Sequence, residues 1–266
     1  MYYKIILILH GKKMKVSINK SLSIFVIALF CCSLLFGESY LGTKAPAEPK
    51  AVGDIVFNDG SATPFKSKLK LSDEQKKAAI AVIFYVGTDC SDDGSNRTLG
   101  LGLKYSPSKL PYCDMEASSR FAFVNTIYDT KNGSQNLEKI GEWLIAHDKI
   151  DDTGDALKYP AFYFAKNYTE YVPNLEAFNE GWYLPSKEEM SKIYKKRKTI
   201  NDVCKLCELP VLKDVGFWTS TQSYNEKVIF DLSANAYMLN PIDGYCSELG
   251  VDKNNFTYAC VIRDFN

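Results

Sequence analysis

The chain has 266 residues, 46% of them apolar, with 32 basic and 32 acidic side chains and no formal net charge. That length holds one large domain or two small ones, and that apolar content builds a substantial core. Residues 1–37 contain five lysines and no acid, so the remainder carries 27 basic against 32 acidic residues; a mildly acidic body excludes a nucleic-acid partner, which requires a basic face.

The first element is an export leader over residues 1–37, with Met14 as an alternative true start. Lys15 and Lys20 form a positive n-region, and Leu22 to Phe36 is an uncharged, mostly apolar run of 15 residues. A membrane-spanning helix needs about 20 such residues, so the run fits the apolar core of a signal peptide. Gly37 offers a small residue before a cut. The competing reading is a lipid anchor at Cys31 or Cys32, although neither follows the small residue that such a site requires. Any membrane attachment would therefore run through the leader or a lipid. The expected location is exported: periplasm, cell surface or secreted.

Residues 38–50 contain Gly42, Pro46 and Pro49 and read as a linker. A single domain follows, over residues 51–266. Val52 to Phe57 predicts a strand, and Asn58-Asp59-Gly60-Ser61 a turn. Ser72-Asp73-Glu74-Gln75 predicts a capping box opening a short helix through Ala79. Ala81 to Val86 is a continuous apolar, β-branched and aromatic run, the pattern of a buried central strand. Thr88 to Arg97 is a polar loop, and leucines at 99, 101 and 103 predict another strand. Leu137, Ile140, Leu144 and Ile145 fall at helical spacing, so residues 135–147 form an amphipathic helix. Tyr159 to Tyr171 is aromatic-rich, a second helix or an irregular segment.

The most distinctive stretch is Gly181-Trp182-Tyr183-Leu184-Pro185-Ser186. Leu-Pro pushes the backbone out of the helical region. Ser186 then caps a helix over 187–197, with Glu189 closing the capping box, and a further short helix is expected around 201–207. From Gly216 on, the pattern is strand and turn: Phe217–Thr221, Val228–Leu232, Ala236–Leu239 and Thr257–Asp264. The order of strands, helices and strands is an α+β pattern.

Six cysteines lie beyond the leader: Cys90, Cys113, Cys204, Cys207, Cys246 and Cys260. An even number in an exported chain predicts disulfides, with connectivity open. A zinc site on Cys204, Cys207, Cys246 and Cys260 is the lesser alternative, because the second pair is too widely spread.

The ordered motifs Gly-Trp-Tyr-Leu-Pro-Ser with Glu189, Phe217-Trp218-Thr219-Ser220-Thr221, and the closing Cys260-Val261-Ile262-Arg263 resemble a bacterial secreted domain of uncharacterised function. That domain is found at the C-terminus of collagen-like adhesins, and its pattern is Trp-Arg-Leu-Pro-Thr, a downstream Glu-Leu, Tyr-Trp-Ser-Ser-Thr and a closing Val-Arg. The resemblance covers Gly181 to Phe265 and, more loosely, the opening strands. Tyr183 stands where arginine is usual. The resemblance implies a C-type-lectin-like or formylglycine-generating-enzyme-like fold, with antiparallel strands at both ends, helices in the middle, and first and last strands paired. Within it, Trp182, Leu184, Pro185, Ser186, Glu189, Trp218 and Arg263 form the structural motif.

Candidate binding residues come from the turn-rich acidic segment between the last strands, Asn240, Asp243, Glu248 and Asp252, and from Trp143 on the amphipathic helix. Their oxygens suit sugar hydroxyls or a calcium ion, but the signatures of calcium-dependent sugar sites are absent, and a solvated loop is the plain reading. No other metal or cofactor is implied. His147 is the one histidine beyond the leader, which excludes a multi-histidine centre. Glu188 and Glu189 point about 100° apart on a helix, so they are not a glycosidase pair. The reading is an exported, non-enzymatic, adhesin- or lectin-like domain for an unknown carbohydrate or protein ligand. The alternatives are a formylglycine-generating-type cysteine oxidase, with Cys246 and Cys260 in the right region, and a structural envelope lipoprotein.

Overall fold

The protein is described here from a computed structural model. Residues 39–124, 126–149, 151, 156–224 and 232–266 are described in full, and residues 2–9, 12–19 and 125 by their backbone. The chain divides into two units, Met1–Tyr40 and Leu41–Asn266. In the first, β1 (Tyr2–Leu9) and β2 (Lys12–Asn19) form an antiparallel hairpin. The apolar leader run Leu22 to Phe36 and the lipid-anchor cysteines lie outside the described residues. Among the described residues, no helix is long and apolar enough to cross a membrane.

The second unit is mixed α+β with antiparallel sheets. Its larger sheet comprises β3 (Asp54–Phe57), β4 (Ala62–Pro64), β5 (Ala79–Gly87), β6 (Arg97–Gly102) and β10 (Ile262–Asp264), in the order β10-β6-β5-β3-β4. The uninterrupted apolar run of β5 has a physical reason: both faces of this sheet are covered. Val56, Ala81 and Ile83 join a core with Trp182 and Trp218. Ile55, Val82, Phe84 and Leu101 join another with Met190, Ile193, Ile200 and Val203.

The helix α1 (Asp73–Ala78) starts at the predicted capping box of Ser72 and Gln75. The β3–β4 turn is tightened by Asp59, whose carboxylate accepts from Ser61 N and Oγ and from Leu41 N. Leu41 is thereby tied to the hairpin, as are Gly42 through Ser61 Oγ at 2.7 Å and Lys44 through a bridge to Ala62. Residues 41–50 therefore belong to the folded body, which begins at Leu41 instead of residue 51. Proline and glycine content suggested a linker, but backbone hydrogen bonds to a neighbouring strand hold the segment down.

The middle of the unit holds α2 (Asn136–Ala146), α3 (Pro160–Lys166) and α4 (Lys187–Leu206). The two helices expected over 187–197 and 201–207 are one. Residues 198–200 contain no Gly or Pro breaker, and Ile200, Val203 and Cys204 continue the buried stripe of Met190 and Ile193. The smaller sheet is β7 (Phe217–Gln222), β8 (Asn235–Leu239) and β9 (Val251–Asp252), in that order. The expected strand over 228–232 lies, except for Leu232, outside the described residues.

The strand pairing implied by the resemblance is not observed. β10 pairs with β6, at Ile262 against Leu101, and β5 and β6 separate it from the opening strand β3. The closing strand is regular only over Ile262–Asp264; before it, Thr257 and Tyr258 make single bridges to Leu110 and Phe217.

Candidate ligand-binding sites

Of the residues expected to bind from loop 240–255, three are held by bonds of their own. Asn240 donates to Asp214 at 2.9 Å and accepts from Ile242 N. Asp243 accepts from Tyr245 N and so closes its own turn. Asp252 is held by Arg120, which reaches both of its carboxylate oxygens at 2.8 and 3.0 Å. Glu248 is exposed. Trp143 stacks on His147 at 4.2 Å, with its own helix. The other acidic loop is also internally committed: Asp93 accepts from Ser91 Oγ and Ser95 N, Asp92 from Lys131 N, and Asp89 from Lys192 Nζ. Among the described residues, no three or more of His, Cys, Asp and Glu assemble as a metal site.

The Leu-Pro motif instead builds a polar core. Ser186 caps α4, and Glu189 closes the box. Glu189 is fully buried and its carboxylate accepts four hydrogen bonds: from Ser186 N (2.7 Å), Gly133 N (3.1 Å), Tyr183 Oη (2.7 Å) and Arg97 Nη1 (3.0 Å). Arg97 also donates to Tyr183 Oη, Asp264 and the Cys90 carbonyl. Burial pushes the Tyr183 hydroxyl well above the ordinary tyrosine range, so it stays protonated and donates to Glu189. Trp182 and Trp218 are core residues, with indole N–H groups given to the carbonyls of Phe178 and Leu110 at 2.7 Å each.

A cleft of about 480 Å³ opens beside this core, between the start of α2, the helix α3, Gly181–Leu184 and the closing strand. Arg263 lines it, 5.2 Å over the Phe178 ring. Gly181 has φ +83°, and a Cβ there would lie 2.6 Å from Arg263 Nη1, so the motif glycine is what admits the guanidinium.

A second surface carries aromatic rings. Phe123 and Tyr128 stack at 5.5 Å and 27°, and Tyr224 lies 4.5 Å from Tyr128 and 5.2 Å from Phe123. Phe123 is 38% exposed and Tyr224 42%, which leaves ring faces to solvent. Tyr128 also borders a hollow of about 440 Å³ with Asp129, Lys131, Glu188 and Ser191 on its walls. Buried bonds hold the loop in place: Gln222 accepts from Val124 N and donates to the carbonyls of Ala122 and Ser233, and Lys253 Nζ donates to those of Ser119 and Ala122. None of the three rings was legible as a site. They sit in turn-rich segments without periodicity, and the usable signal was that large aromatics there had no apolar stripe to join.

All six cysteines of the body are thiols, so the disulfide expectation is corrected. Cys113 belongs to one core cluster and Cys90, Cys204, Cys207 and Cys260 to the other, where they pack as small apolar residues. Burial pushes the thiols of Cys90, Cys113, Cys204 and Cys260 up to about 12 and that of Cys207 up to about 11. Burial also raises that of half-buried Cys246. A cysteine oxidase requires a thiolate, which this environment disfavours.

No family model matches the chain, and no curated protein does. Among solved structures it is similar to a fimbrial protein from Bacteroides ovatus ATCC 8483, at 15% identity and a TM-score of 0.50. The match covers 80% of this chain and 48% of that one, so this chain spans about half its length. At that identity the likeness concerns the fold alone.

Proposed function

We propose that the protein is an exported, non-enzymatic surface domain, built on a lectin-like scaffold, that binds carbohydrate through the Phe123–Tyr128–Tyr224 face. The observation that carries this reading is a cluster of three rings, Phe123 and Tyr128 stacked and Tyr224 tilted against both, partly exposed beside a hollow walled by Asp129, Lys131, Glu188 and Ser191. Sugar rings present apolar C–H faces that suit aromatic faces, and their hydroxyls need nearby charged and polar partners. Export rests on the lysine-flanked apolar leader.

A glycan array with the full-length chain tests this, followed by calorimetry on Tyr128→Ala and Tyr224→Ala. Loss of one ring contact, about 0.5–1.5 kcal/mol, weakens binding roughly 2- to 10-fold. If no glycan binds, with or without calcium, or if both variants bind undiminished, the reading fails. Retained binding of a protein ligand by the same face would replace sugar with protein as the partner.

A further inference from the structure

The cleft at Arg263 is separate from the aromatic face and has its own chemistry. Arg263 Nε and Nη1 are buried without a hydrogen-bond partner. Buried guanidinium nitrogens are ordinarily paired, so each exception calls for a physical explanation. Gly181 and the Phe178 ring close over the guanidinium, and neither supplies an acceptor there. Its nearest carboxylates are committed or outlying: Asp264 accepts from Arg97 Nε and Thr98 N, and Glu180 is exposed. Burial lowers the Arg263 pKa, with Asp264 and Glu180 opposing it, as expected of a charge that its surroundings compensate only in part.

The same cleft meets the start of α2. No side chain caps that terminus, and Leu137 and Glu138, the second and third residues of the helix, line the cleft. Uncapped N–H groups there favour a negative charge. Phe162, Ala165, Trp182 and Leu184 supply apolar wall, with the polar side chains of Ser134, Lys166 and Tyr183 also lining the cleft. The volume of about 480 Å³ is in the range of small-molecule sites.

We propose that this cleft binds a small organic monocarboxylate with an apolar body, its carboxylate bonded to Nη2 of Arg263, the guanidinium nitrogen that is not sealed off, and facing the α2 N-terminus, its body against Trp182 and Phe162. The charged side chains that line the cleft are Arg97, Lys166 and Arg263 against Glu138 and Asp264, and Arg97 is paired with Asp264, so the lining offers one net positive charge, which matches a single carboxylate.

The test uses the full-length chain and phenylacetate as probe, with phenylacetamide as its neutral isostere and inorganic phosphate as an anion without an apolar body. The chain has four arginines, so the side-chain Nε–H signals of Arg97, Arg120, Arg197 and Arg263 are separable by NMR. Phenylacetate is expected to shift the Arg263 signal saturably, while phenylacetamide and phosphate bind about ten-fold or more weakly. Arg263→Gln should weaken phenylacetate by about ten-fold or more, the loss of a charge-assisted bond. Arg263→Lys should retain part of the affinity, because it keeps the charge but loses the planar fork. The proposal is overturned if phenylacetate gives no saturable shift, if the amide or phosphate binds equally well, or if Arg263→Gln folds and binds undiminished. The comparison of probes on the unaltered protein decides the matter even if the variants do not fold.

Discussion

Replacing Glu189 with Gln should destabilise the protein by about 3–5 kcal/mol, the range for breaking a buried ion pair from one side. The structure shows why the effect is large. The carboxylate is fully buried and serves four donors, two of them backbone N–H groups and one a guanidinium. A glutamine offers one carbonyl oxygen and two N–H groups that only donate. At least one of Ser186 N, Gly133 N and Arg97 Nη1 must then lose its acceptor, and each buried donor left unpaired costs about 1–3 kcal/mol. Arg97 keeps its bond to Asp264 but loses its fully buried counter-charge. For a body of this size the change corresponds to a fall in melting temperature of roughly 6–20 °C. Thermal and urea denaturation followed by circular dichroism measure it. Arg97→Met, Glu189→Met and the double variant then form a cycle in which the double loses less than the sum of the singles. A loss below about 1 kcal/mol in Glu189→Gln would refute the account, because a surface pair is worth no more than that.

Four further outcomes are expected. Gly181→Ala places a side chain at φ +83° and against Arg263 Nη1, and should cost about 1–2 kcal/mol or more in denaturation; an unchanged midpoint contradicts that backbone assignment. Gln222→Ala leaves Val124 N without its acceptor, so it should destabilise by about 1–3 kcal/mol and speed hydrogen exchange at Val124, while Gln222→Glu, which keeps an acceptor for that amide, protects it better. Asp59 is partly desolvated, which raises its pKa, but bonds from Ser61 and Leu41 outweigh this and hold it below the ordinary range; its stabilising contribution is therefore present above about pH 4 and is lost as pH falls through the lower folded value. Acid titrations of Asp59→Asn and the parent should converge at the acid end, and parallel curves would refute this. Alkylation of the native protein near pH 8, about the pKa of a free thiol, should modify Cys246 before any other cysteine of the body, and equal labelling of Cys204 or Cys260 by mass spectrometry would contradict their burial.

What the sequence made legible is what local chemistry determines. The two capping boxes, the Asp-Gly turn and the central strand β5 each depend on residues within a few positions of one another, and all four occur as read. The polar core was not legible, because its partners are distant: Arg97 and Glu189 are 92 positions apart, and Arg97 and Asp264 are 167. Glu189 could be read as a cap, since Ser186 is near, but not as the counter-charge of Arg97. The bonds within loop 240–255 were not legible for the converse reason. Its acidic and amide residues mark turns, and composition cannot say that Asp252 pairs with Arg120, 132 positions away. Six cysteines fitted disulfides by parity alone, whereas five of them are buried as thiols in the two cores and Cys246 packs at the edge of one. Arg263 was visible as part of a motif, but that its Nε and Nη1 lack acceptors follows only from packing against Gly181 and Phe178.

The Phe-Trp-Thr-Ser-Thr motif has a mechanical meaning that follows from strand geometry. Along β7, side chains alternate between two faces. Trp218, Ser220 and Gln222 share one face, and together they hold the irregular segment between β6 and α2. Trp218 Nε1 donates to Leu110, Ser220 O accepts from Tyr112 Oη, Ser220 Oγ accepts from Asn136 at the start of α2, and Gln222 clamps Ala122 and Val124. Thr219 and Thr221 serve the opposite face, where Thr219 bonds Tyr237 O on β8 and Thr221 accepts from Lys187 N at the start of α4. One strand therefore positions both candidate surfaces: through Asn136 it fixes the α2 terminus at the Arg263 cleft, and through Gln222 it fixes Phe123. Loops fixed in this way lose little further freedom when a ligand binds, so less of the contact energy is spent on ordering them. A short strand with polar side chains at zero exposure would be a liability in an ordinary core, since each buried hydroxyl or amide must find a partner. Here those polar groups are what convert a long irregular segment into a rigid one.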